Sequence, residues 1–374
     1  LNPHRSGYRL STLAALALLM LTLSGCASGV HATSWTGLTV SDDLLYLADL
    51  TQVKSLNSAD ASVVWSFPAD PRKDPRGVFY ITPIVYEDRV FVASEVPPTG
   101  MFSRYKHVLW ALRREDGIPL WSFDIAAGPY VESGAPGGSL FVIGNSDGSV
   151  YALDVDSGTL RWSFSTGHRV WASPLIISDT VYIGSMDRNL YALSLRDGKE
   201  RWRFHAGGAF AATPALWNDT LYIGAFDDRF YAIDMHTGRE RWNVAGENWF
   251  WGNPVVHNGT VYAVDVNGNV YALDATSGAQ TWKRALDVPV RAGPAISSDG
   301  SRLLLGGRDG VLYALDAADG ITLWSQKGEG QILSTPVVSG NVVYALWLYG
   351  PHRLRAFHTD NGREIWAYPP AQEK

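Results

Sequence analysis

The chain has 374 residues, of which 46% are hydrophobic and 18% charged, with 15 Trp, 17 Tyr, 37 Gly and 19 Pro, a strand-and-turn composition and not a helical or disordered one. A formal net charge of −6 leaves no basic stripe to neutralise a phosphate backbone, which argues against nucleic acid as a partner. The one cysteine, Cys26, rules out an internal disulfide, a Cys-based zinc site and covalent haem attachment, and the nine His are scattered without metal-ligand spacing.

In chain order the first predicted element is an address. Arg5 and Arg9 precede an apolar run from Leu10 to Leu23, and Ser24 and Gly25 lead into Cys26, so residues 1–25 read as a cleaved leader. The run falls short of the ~18 residues expected of a spanning helix. Leu23-Ser24-Gly25-Cys26 resembles the lipobox of bacterial lipoproteins, which implies that Cys26 is lipidated and heads the mature chain; a plain secretory signal cleaved nearby is the other reading. Acyl chains at ~0.8 kcal/mol per buried CH₂ would hold the protein on a membrane, whereas simple cleavage would release it. Ala27 stands where an inner-membrane retention Asp would sit in Gram-negative lipoproteins. The resemblance therefore implies the periplasmic face of an outer membrane there, and the outer face of the plasma membrane otherwise. Residues 26–34 read as a short anchor linker.

From Trp35 to about residue 370 one unit recurs, leaving 371–374 as a tail. Its copies end at Trp65, Trp121, Trp162, Trp202, Trp242, Trp282, Trp324 and Trp366, mostly 40 to 42 residues apart. Each copy reads as four short strands. Asp147-Gly148, Asp187-Arg188, Asp227-Asp228, Asn267-Gly268 and Asp309-Gly310 mark a reversal between the second and third, and a Gly four residues before the Trp marks another. These are turns and not calcium loops, since Asp265, Asn267 and Asn269 lack the spacing and distal Glu of an EF-hand. Four strands cannot bury both faces alone, but radial stacking does so. The predicted fold is all-β, an eight-bladed β-propeller of four-stranded antiparallel blades, with the recurrent Trp packed between neighbours. The units stay in phase throughout, which predicts closure with little or no strand exchange between the termini.

The pattern Ala-x-Asp-x-x-Ser/Thr-Gly-x-x-x-Trp at 152–162, 232–242 and 272–282 resembles the docking motif of quinoprotein-like propellers, those with pyrroloquinoline-quinone-type repeats. No copy ends in the Trp-Asp dipeptide of the rival WD40 class. The likeness covers nearly all of the mature chain and implies two branches. Quinone-dependent dehydrogenases of that family need a vicinal disulfide and a metal-ligand set on the axis, and this chain lacks the Cys pair. The other branch, similar in anchor, length and blade number, is the non-catalytic lipoprotein component B of the outer-membrane β-barrel assembly machinery.

The residue three places before the Pro opening each first strand varies round the ring: Trp35, Tyr80, Tyr130, Trp171, Ala211, Trp251, Arg291 and Leu333, with Trp35 and Tyr130 placed by the following strand. These positions are predicted to gather at one mouth of the channel, its densest part being Trp249, Phe250 and Trp251 beside Arg169 and Arg291. The rings either form a recognition mouth or plug the channel. Blade two also carries extra residues at 95–107 and 68–75, a recognition loop or a neutral excursion. The expected function is a non-enzymatic, membrane-anchored scaffold in the cell envelope, monomeric, without a cofactor, holding a protein partner in the manner of outer-membrane protein assembly. An exported ligand-binding or sensor propeller is the alternative, and a quinone-dependent dehydrogenase a third.

Overall fold

The fourth unit shows why the repeat makes sheets. In the computed structural model, which describes residues 37–98, 100 and 103–370, it runs as Leu175–Ile177, Thr180–Gly184, Asn189–Ser194 and Glu200–His205, an antiparallel meander. Val181, Tyr182, Ile183, Leu190 and Tyr191 follow one another along its two middle strands and all are buried. Consecutive strand residues face opposite sides, so both faces must be covered by neighbouring blades.

The turn chemistry is supplied locally. Asp187 Oδ1 accepts the Asn189 N–H at 3.0 Å and Oδ2 accepts the Tyr191 hydroxyl at 2.6 Å. Tyr151, Tyr231 and Tyr313 donate in the same way to Asp147, Asp227 and Asp309 at 2.7, 2.6 and 2.8 Å. These carboxylates are therefore taken up by their own reversals. In the other reversal, Asp234 Oδ1 accepts both the N–H and the hydroxyl of Thr237 at 2.9 Å, and Gly238 turns the chain at φ 68°. A Cβ on Gly238 would lie 2.6 Å from the Trp202 ring, so the glycine is needed both for its backbone and for its bareness.

That contact is the seam between blades. Each recurrent Trp lies against the next unit and donates its indole N–H to a backbone carbonyl there: Trp65 to Arg114, Trp121 to Val155, Trp162 to Leu195, Trp202 to Met235, Trp242 to Ala275, Trp282 to Ala317 and Trp324 to Thr359, at 2.8–3.1 Å. Trp366 completes the series by donating to Ser58 of the first blade at 3.0 Å, which closes the ring. The described residues form eight sheets, and each is one contiguous stretch of chain: 38–67, 78–123, 135–165, 175–205, 215–245, 255–285, 295–327 and 337–368. Among the described residues no strand crosses between the first and last sheets. Side chains join them instead: Leu38, Leu45 and Leu56 pack with Tyr344, Leu354 and Tyr368, Lys54 donates to the Tyr368 hydroxyl at 3.1 Å, and Asp49 pairs with Arg353.

Where the other units place Gly against the preceding indole, the first has Ala61, held at φ 59°. An L-residue there carries a left-handed penalty of ~1 kcal/mol. Ala61→Gly is expected to raise stability by about 1 kcal/mol, read as a higher urea midpoint at unchanged slope; a lower midpoint would contradict the strain.

Blade two departs from the four-strand expectation. Its second and third strands, Arg89–Val96 and Lys106–Arg113, are longer than those of the fourth blade, and Glu95 pairs with His107 and Val96 with Lys106. Residues at both ends of the 95–107 insertion are thus ladder and not loop. The added length recruits a fifth strand, Val78–Phe79, which pairs with Glu95 and Ser94 and bridges to Leu50 of the first blade.

Candidate functional site

A four-stranded meander places the link from the previous blade and the reversal between its second and third strands at the same end. The seven links between blades therefore converge on one face and run inward to the axis. There they enclose a cavity of about 240 Å³ whose wall includes Tyr80, Glu132, Ala211, Trp251, Arg291 and Leu333. Of the expected mouth residues, Tyr80, Ala211, Trp251, Arg291 and Leu333 line this cavity. Trp35 and Cys26 lie outside the described residues.

Trp171 and Trp251 stand 6.1 Å apart, and the Trp171 indole donates to Ser146 Oγ at 3.1 Å. Phe226, from the neighbouring reversal, lies 5.0 Å from Trp251 and stacks on Trp249 at 5.1 Å with 13° between planes. Trp249 is 46% exposed, and the exposed Arg169 is carried on the link to blade four. Phe250, between the two indoles, turns away into the core. The Arg291 guanidinium sits 5.3 Å over the Trp251 ring. These rings form one aromatic surface running from the channel wall to solvent.

Tyr130 does not belong to it. It is buried in the register of Val170, Phe210, Phe250 and Val290, and its hydroxyl has no hydrogen-bond partner among the described residues. The residue matching Trp171 in blade three is Val131, one place on. Blade three has Gly134 where its neighbours have Pro, and the Phe141 ring lies 2.5 Å from where a Cβ would go. Without the Pro, alignment by the following strand slips by one.

The corrected register brings Glu132 into the wall. Its counterparts are Ile81 in blade two, Ala172, Ala212, Gly252 and Ala292 in the next four blades and Ser334 in the last, so one carboxyl enters a ring of otherwise uncharged side chains. Burial raises its pKa to about 7, opposed only by a backbone hydrogen bond at Ser133. Across the cavity, burial and then the like charge of Arg308 pull the Arg291 pKa below its ordinary value. Tyr80 donates to Glu95 Oε2 at 3.4 Å, and the His107 Nδ1 lies 3.8 Å from the same oxygen, both groups contributed by the blade-two extension.

Sequence reasoning also missed several exposed apolar side chains on this face. Tyr105 at the tip of the blade-two extension, Ile125 on the next link and Tyr349 in the last second-to-third reversal are 42%, 71% and 74% exposed, on the same side as Trp249.

A quinone with its metal, which the quinoprotein-like resemblance brings to mind, does not suit this wall. Glu132 is its one carboxylate, and no group of three or more His, Cys, Asp or Glu that could hold a metal occurs among the described residues. At about 240 Å³ the cavity is also below the ~300–1,000 Å³ common for drug-sized ligands.

The family described as "Beta-alanine-activating enzyme, beta-propeller" matches residues 82–345. Among solved structures, BamB from Moraxella catarrhalis superposes with a TM-score of 0.70 at 19% identity, over 83% of this chain and 92% of that one. The computationally designed Ika8 protein does so with 0.70 at 14% identity, over 90% and 96%. The quinohemoprotein alcohol dehydrogenase ADHIIG from Pseudomonas putida HK5 gives 0.65 at 16% identity, over 84% and 69%. No curated protein matches in sequence. A design, a dehydrogenase and BamB share this ring about equally, so the likeness fixes the fold and leaves function to the site.

Proposed function

Since the chain belongs to the beta-propeller family of the beta-alanine-activating enzyme and shares its eight-bladed ring with the quinoprotein-like propellers, we propose that it is a non-enzymatic scaffold of the cell envelope that docks a protein partner on its link-bearing face. The observation that carries this reading is the set of large apolar side chains, Tyr105, Ile125, Trp249 and Tyr349, left in solvent on that one face. Tyr, Trp and Arg are the side chains that dominate binding energy at protein interfaces. Buried, each would contribute more than the flexible charged residues that cover ordinary surface.

The partner is a protein of the envelope, and outer-membrane protein assembly is the role the likeness to BamB suggests. Cys26 would tether the ring through its lipid, on the periplasmic face of an outer membrane where one exists. The propeller acts as a single copy.

Crosslinking and affinity capture of the full chain from its native envelope tests this. Trp249→Ala combined with Arg169→Ala is expected to abolish capture of the specific partner while circular dichroism and melting stay unchanged, and Cys26→Ala is expected to shift the protein from the membrane pellet to the soluble fraction. Undiminished capture by the folded double variant would remove the docking face; retention of Cys26→Ala in the pellet would remove the anchor.

A further inference from the structure

Glu132 is carried by the link into the third blade and Arg291 by the link into the seventh, four places apart in a ring of eight, so they reach the axis from opposite sides. Both line the same cavity. Neither has an ion-pair partner among the described residues. The carboxyl hydrogen-bonds to the backbone at Ser133, and the guanidinium has the Trp251 ring on one side and the like-charged Arg308 nearby. Both are half-buried, and a charge partly withdrawn from water without its counter-charge is unfavourable and is ordinarily removed or paired. Two opposite charges facing one cavity across the axis form a fixed dipole with a gap between its ends.

We propose that the axial cavity binds a small zwitterion, a molecule carrying an ammonium and a carboxylate on a short frame, with the ammonium at Glu132 and the carboxylate at Arg291. Arg presents a planar fork suited to a carboxylate, and the Glu carboxylate accepts the charge-assisted bonds of an ammonium. Trp251 supplies an apolar wall beside the guanidinium, and Asn253 and Ser334 add neutral polar groups. A cavity of about 240 Å³ suits a ligand of amino-acid size and not a large cofactor. A purely structural carboxyl would have a cation or a cluster of N–H donors beside it. Glu132 instead stands where the next four blades place Ala or Gly. The site is independent of the docking reading, because Trp249 and Arg169 are not part of the wall.

The test is calorimetric titration of the full chain in detergent at about pH 8, where the carboxyl is ionised, with the standard amino acids, a set of dipeptides, methylammonium and acetate. At least one zwitterion is expected to bind with a Kd in the millimolar range or tighter. Glu132→Gln and Arg291→Gln should each weaken it by about tenfold or more, Arg291→Lys should weaken it less, and neither half-ligand should bind as well. Matching melting profiles would show that the variants are folded. The proposal is overturned if no zwitterion of the panel binds, if both Gln variants bind it as the parent does, or if methylammonium or acetate binds as tightly as the best zwitterion.

Discussion

Trp366→Ala is expected to lower the stability of the ring by about 3 kcal/mol and to make the first blade the earliest part to open. The indole is half-buried, packs on Tyr344 at 5.8 Å between centroids, and donates to the Ser58 carbonyl at 3.0 Å. Truncation removes apolar burial, leaves a gap at the seam and strands a carbonyl. For a large aromatic these effects together cost about 3–5 kcal/mol, with the lower end fitting partial exposure. A natural domain holds ~5–15 kcal/mol in all, so the loss is a large fraction. Trp242→Ala removes the same chemistry from an interior seam and serves as the control. There the link still joins the two blades covalently, whereas the Trp366 seam joins residues 308 positions apart by contacts alone. Hydrogen exchange should therefore show protection lost over 38–67 in Trp366→Ala and not in Trp242→Ala. Equal exchange in the first blade of both variants would mean that closure is not the weak point.

The same seam shows how much of the fold could be read from the chain. The Trp spacing located every blade because each indole must meet the next unit at a constant offset, and a contact that repeats in space repeats in sequence. The Gly four residues before the Trp of the second to eighth units could be recognised as a turn, but its pressing against the previous indole involves a neighbour some 40 residues away. The fifth strand of blade two was not legible: Val78–Phe79 is two residues long and pairs only because the hairpin beside it is extended. At the site, Trp171, Trp251 and Arg291 were found through their distance from a Pro. Tyr130 was misplaced where Gly134 replaces that Pro, and Glu132 went unnoticed with it. A carboxyl among Val131, Ser133 and Gly134 looks ordinary along the chain. Its meaning comes from the Ala and Gly residues that stand in its place in other blades and share its axis. The eight-fold register, applied strictly, would have singled it out.

Glu132→Gln is expected to abolish a pH dependence that the parent protein shows. Burial raises the Glu132 pKa from the ordinary 4.5 to about 7, so the folded state holds this proton more tightly than the unfolded state does. With a raised folded pKa the favourable contribution is present in full below about pH 4.5. It falls as pH rises toward and through about 7, and is gone above that. A shift of that size corresponds to about 3 kcal/mol, and water entering the cavity beside the carboxyl brings the expected loss to about 2–3 kcal/mol. Tyr80 and Arg291, the other ionisable groups of the wall, keep their charge over that range: burial, then Glu95, pushes the phenol well above its ordinary value, and a guanidinium stays protonated. Urea unfolding at a series of pH values gives the parent-minus-variant difference, in which groups elsewhere cancel. Gln keeps the shape and polarity without the charge, so the variant should gain on the parent by about 2–3 kcal/mol between pH 5 and 8. A difference that stays flat would mean that the carboxyl ionises in the fold as readily as in water. An ammonium docked on Glu132 favours the ionised form, so saturating zwitterion should shrink the pH-dependent difference in the parent and leave Glu132→Gln unmoved.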